Sequence, residues 1–102
     1  MNDELKGCVR ALESGATDDR RRAAEKLAKM GPAAAPAAIA LVLAAGDSDQ
    51  QVTDWATSAL EELGPPAGGD ADRLAAMLSH QSADVAYWAA TLLGRLGSHA
   101  AP

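Results

Sequence analysis

Laid on itself at a spacing of 33 residues, the chain brings three segments into register: RRAAEKLAKMG ending at Gly31, DWATSALEELG ending at Gly64 and YWAATLLGRLG ending at Gly97. A period of this size belongs to chains that stack one supersecondary unit on the next. In each segment an alanine (Ala23, Ala56, Ala89) is followed four residues on by a leucine (Leu27, Leu60, Leu93) and three further by Met30, Leu63 or Leu96. That i, i+4, i+7 spacing places all three on one helix face, and the glycine just beyond is where a helix ends in a left-handed turn.

The stretches between these segments repeat as well. Cys8, Leu41 and Leu74 share one phase, and Leu12, Ala45 and Leu78 share another. Each repeat therefore reads as a pair of helices, predicted over residues 3–14, 17–30, 33–45, 49–63, 70–79 and 82–96. Thr17 ahead of Asp18 and Asp19, Ser48 with Gln51 as a capping box, and Asp70 or Asp72 ahead of Leu74 supply the expected caps. Alanine, leucine and glutamate dominate, phenylalanine is absent, and the aromatic residues are Trp55, Trp88 and Tyr87, so helix formers outweigh strand formers throughout. The paired alanines at 23 and 24, 56 and 59, 89 and 90 allow close helix approach while leucine and methionine fill the gaps.

The residues Asp47, Asp49 and Val52 leading into Ala56, Ala59, Leu60, Leu63 and Gly64, with Asp84 and Val85 leading into Ala89, Leu92, Leu93, Gly94, Leu96 and Gly97, resemble the HEAT-like repeats, specifically the short type also found in phycobilisome-lyase-like proteins. The resemblance covers residues 17 to 102, and residues 3 to 14 look like the second helix of a preceding pair. It implies an all-α fold, a right-handed α-solenoid of about three HEAT-like helix pairs (six helices) forming a single domain over residues 1–102. It also implies that the second helices line a concave, partner-facing side. Thr53 and Ala86 stand where the family carries an arginine, and Arg20 alone matches, so the pattern predicts no continuous Asp/Arg ladder between repeats. By the same phase, Ser98 to Pro102 would introduce a further helix. Both ends then read as lying in mid-repeat, either as part of a longer array or as surfaces that close by self-association.

Charge narrows the partner. A net charge of -5 and a pI near 4.8 argue against nucleic acid, because that affinity depends on dense Lys/Arg. The acidity is uneven: residues 1–30 hold seven Lys/Arg against six Asp/Glu, and the rest hold two against eight. One cysteine forms no internal disulfide, and the opening residues lack a signal-peptide pattern, so the expected location is cytoplasmic. The charge-free stretch between Lys29 and Asp47 is interrupted by Gly31, Pro32 and Pro36 and falls short of a membrane span.

Trp55 and Trp88 occupy one repeat phase, which Arg22 fills in the first repeat. They are either stacked aromatic anchors for a partner or packing between repeats. Residues 33 to 45 carry no charge, so either neighbouring helices cover them or Ala34, Ala38 and Val42 leave a patch for a partner or a second copy. Arg20, Arg21 and Arg22 read as a solvated face. The acidic set Asp47, Asp49, Asp54, Glu61 and Glu62 reads the same way, with a basic partner as the alternative. His80 and His99 fall in predicted turns without metal-ligand spacing, Cys8 reads as a small core residue, and no cofactor or catalytic constellation is expected. The chain is thus expected to be a non-catalytic protein-protein interaction scaffold, its candidate contact residues being Trp55, Trp88, Asp54, Glu61 and Arg22. The alternative is a self-association unit, with a small-molecule or lyase-related role further behind.

Overall fold

A computed structural model of the protein describes residues 3–66 and 68–100, with the backbone alone described at 68 and 97–100. The described residues are overwhelmingly helical, without a strand: α1 (Asp3–Ser14), α2 (Thr17–Met30), a 3-10 segment (Gly31–Ala37), α3 (Ala38–Ala44), α4 (Gln50–Leu63), a short 3-10 turn (Gly68–Asp70), α5 (Ala71–Met77) and α6 (Ala83–Ala100). The chain turns at Gly31 (φ 60°, ψ -137°) from α2 directly into the 3-10 segment and α3 with no intervening loop residues, so five helical stretches stand where six separate helices are expected.

The prolines explain that difference. Pro32 and Pro36 have no N–H to donate, so residues 31–37 adopt the tighter 3-10 form in place of the α-helix expected from residue 33. Gly31 and Gly64 both take positive φ, 60° and 75°, and each precedes a proline, which disfavours the α conformation for the residue before it. Gly97 holds the same repeat phase but precedes Ser98. Nothing there forbids another helical turn, and α6 runs on to Ala100 where the pattern predicts its end at residue 96. His99 accordingly lies in helical backbone and not in a turn; its side chain, like Pro102, is outside the described atoms.

The caps also differ from expectation. Asp49, not Ser48, caps α4, its carboxylate accepting from the Val52 N–H at 3.0 Å. Ala16 precedes α2 and Asp70 precedes α5, neither with a side-chain cap, so Thr17 is already the first helical residue. The electrostatic contribution survives, because Asp18 and Asp19 stand in the first turn of α2.

Successive helices pack in pairs, but the contacts between pairs differ along the chain. α2 pairs closely with α1 and with α4, α3 packs on α4, and α6 lies along α5 with a further contact to α3. Several repeat-equivalent positions share their burial: Ala23, Ala56 and Ala89 are buried, as are Cys8, Leu41 and Leu74, while Leu27 and Leu60 are fully enclosed and Leu93 is partly so. Leu78, in phase with buried Leu12 and Ala45, is exposed, and so is Ala90, expected at a close helix approach. Each fully buried leucine removes enough apolar surface to contribute about 1.5–3 kcal/mol. Of the two readings of the charge-free stretch, burial holds for Ala34, Ala38 and Val42, all 0 % exposed. An 18-residue window within Thr17–Ala44 has a mean hydropathy of 1.6, apolar enough for a membrane span by length and composition; in the fold 44 % of it is buried. Where α3 ends, Gly46 lies so close to α6 that a Cβ there would stand 2.7 Å from Val85 Cγ2 and from Ser82 Oγ. A side chain would push these elements apart.

Candidate functional site

The turns that start α4 and α6 are built alike, 33 residues apart. Asp47 accepts from the Asp49 N–H at 2.9 Å, and His80 Nδ1 accepts from the Ser82 N–H at 3.0 Å. Two residues later Asp49 accepts from the Val52 N–H, and Ser82 Oγ from the Val85 N–H at 3.4 Å. His80 is thus a turn-building acceptor, the counterpart of Asp47.

What distinguishes the first turn is charge. Arg20 donates from Nε and Nη2 to the two Asp47 oxygens at 2.9 and 3.2 Å, and from Nη1 to the Gly15 carbonyl at 3.0 Å. Arg21 forks onto Asp49 at 3.0 and 2.8 Å and reaches Asp18 at 3.3 Å. These planar two-bond pairs tie α2 to the turn before α4. They correct one reading from sequence, since Arg20 and Arg21 are not a solvated face, and the Asp/Arg pairing they make joins α2 to the turn before α4 without continuing as a ladder among the described residues. The missing signal was geometric, because Arg21 finds its acid through the turn and not through the position the family pattern names. Arg22 fits the earlier reading, its side chain 79 % exposed beside Asp19. The Arg21 hydrogen bonds, with the Val52 N–H, hold the Asp49 carboxyl down to about 2.

Asp47 and Asp49 therefore leave the acidic set. Asp54, Glu61 and Glu62 remain, all exposed on the outer side of α4, and no Lys or Arg pairs with them among the described residues. Gln50 donates to one Asp54 oxygen at 2.8 Å and leaves the other outward. Beside them Trp55 is half-buried, and with Gln51, Asp54 and Ser58 it lines a groove of about 320 Å³. The helix dictates this arrangement: Val52, Ala56, Ala59, Leu60 and Leu63 face the core, leaving 51, 54, 58, 61 and 62 outward and Trp55 at the border.

The second tryptophan has a different role. Trp88 is only 8 % exposed, meets Tyr87 edge-to-face at 5.3 Å, and lies under the Arg95 guanidinium at 5.9 Å. Arg95 also donates to the Leu60 and Gly64 carbonyls at 2.7 and 3.3 Å, satisfying the end of α4 and fastening α6 to it. At this position packing, not an open aromatic anchor, describes the tryptophan. Tyr87, which holds Asp54's phase, is the exposed aromatic of that helix at 63 %.

A larger hollow of about 450 Å³ lies between α1 and α2, with Cys8 in its wall and Glu4, Lys26, Asp19 and Arg22 around it. Its charges answer one another, Lys26 with Glu4 at 3.5 Å and Arg22 with Asp19 at 4.0 Å. Burial pushes the Cys8 thiol above its ordinary value, which disfavours the nucleophilic thiolate. Among the described residues no polar or charged side chain is buried, and no three His, Cys, Asp or Glu side chains gather closely enough to hold a metal ion. The class these features define is an all-helical protein with its distinctive chemistry on an outer helix face. Comparison with protein-family models, curated proteins and solved structures finds no match.

Proposed function

We propose that the chain is a non-catalytic, HEAT-like protein-binding scaffold and that the outer face of α4 is its contact surface. The observation that carries this reading is the groove at Trp55, where a half-buried indole, the residue type that most often anchors interfaces, sits beside unneutralised carboxylates. The 33-residue correspondence of several buried positions and of the two turns supports the repeat reading. The partner is another protein, met in the cytoplasm, and Asp54 and Glu61 contact it together with Trp55.

A random peptide library displayed against the purified chain tests this. Selected ligands should lose about tenfold or more in affinity on Trp55→Ala, the scale of an interface hot spot, while Arg22→Ala changes them less. Ligands indifferent to Trp55 would remove this surface from consideration. Self-association is the second reading, favoured by Leu43 and Leu78, 43 % and 46 % exposed on α3 and just beyond α5. A sedimentation mass that stays monomeric at high concentration counts against it.

A further inference from the structure

The charge bookkeeping of the fold specifies the partner more closely than its surface shape does. The described ion pairs all use cations of α2, and these reach acids on α1, on α2 and in the turn before α4. α4 itself has no Lys or Arg, and its outward acids Asp54, Glu61 and Glu62 make no ion pair among the described residues, Arg95 being engaged by the Leu60 and Gly64 carbonyls. Asp54 and Glu61 lie seven residues apart on one side of the helix, which at 1.5 Å per residue separates them by about 10 Å along its axis. Ser58 stands between them, small enough to leave the line open, and Trp55 walls the groove alongside.

A three-residue-per-turn extended segment rises about 3.1 Å per residue, so its side chains at i and i+3 share one side and are separated by about 9 Å. Two cations at that spacing would reach Asp54 and Glu61 in turn, and the intervening apolar residues would lie against the Trp55 ring, as such segments do in aromatic-lined grooves. We infer that the α4 groove binds an extended cationic segment with Lys or Arg at every third residue. This rests on the α4 face being the contact surface and adds the chemistry of its occupant.

The test uses the full chain and three labelled peptides followed by fluorescence anisotropy. The first is Arg-Pro-Pro repeated four times, the second gathers its four arginines into one block, and the third carries glutamate in place of arginine. The expected order is spaced, then blocked, with the acidic peptide not binding. Affinity for the spaced peptide should fall about two- to fivefold for Asp54→Asn and again for Glu61→Gln, and about three- to tenfold for Trp55→Ala. It should also weaken as salt rises from about 0.05 to 0.5 M. Glu13→Gln, an exposed acid on α1, serves as the unchanged control.

Absence of binding, equal affinity for spaced and blocked arginines, or indifference to Asp54→Asn with Glu61→Gln would overturn the inference. If library-selected ligands depend on Trp55 yet carry no basic residues, the binding face stands and the cationic segment does not. If no ligand depends on Trp55, both fall.

Discussion

Among single side chains, Asp49 has the most perturbed chemistry. Its ordinary value of 3.8 falls to about 2 because Arg21 and the Val52 N–H both hydrogen-bond the charged form. A group whose folded value lies below its unfolded one stabilises the fold above the unfolded value and loses that contribution as pH falls through the folded one. The Asp49 contribution is therefore complete above about pH 4 and disappears between there and pH 2, while Arg21 stays charged throughout. Asp49→Asn should lower the melting temperature at pH 6 and narrow its drop between pH 6 and pH 2.5. An equally steep drop in the variant would show that other carboxylates govern acid unfolding. The pairing also marks how far sequence carries. Asp49 was legible as a polar residue leading into a helix, but its partner, 28 residues away, was not, because no local period relates a turn to the helix before it.

At the scale of elements, glycine position decides where helices stop. Gly64 at φ 75° and ψ -153° occupies a region essentially restricted to glycine, and a Cβ there meets nothing within 4 Å. Gly64→Ala should therefore destabilise by about 1–3 kcal/mol through backbone strain alone. Gly94 lies inside α6 with equally open space for a Cβ, and Gly94→Ala should stabilise by about 0.5–1 kcal/mol. Denaturant unfolding of the two variants checks the opposite signs. The repeat exposed Gly31, Gly64 and Gly97 as equivalents, but the following residue separates them: proline after the first two forces the stop, and serine after the third permits α6 to continue. The 3-10 segment at Gly31–Ala37 has the same origin, since two prolines outweigh the alanine content that predicted an α-helix.

Over the whole molecule, backbone packing is closest between α2 and α4, and α6 reaches α4 through Arg95 over a buried Trp88. Stability should grade accordingly. Amide hydrogen exchange is expected to be slowest in α2 and α4 and faster in α5 and α6, because opening the latter exposes less packed surface. Uniform protection across all helices would mean one cooperative unit. The sequence by itself determined the helical class, the 33-residue pairing and most buried positions, because helix periodicity and alanine–leucine spacing are local properties read within a few turns. Only tertiary structure decided which of two equivalent tryptophans is enclosed and which acids are neutralised. Those outcomes depend on what the neighbouring helix presents: the α4 carbonyls of Leu60 and Gly64 hold Arg95 over Trp88 of its own helix, Arg20 and Arg21 of α2 meet Asp47 and Asp49, and no Lys or Arg pairs with Asp54 or Glu61 among the described residues.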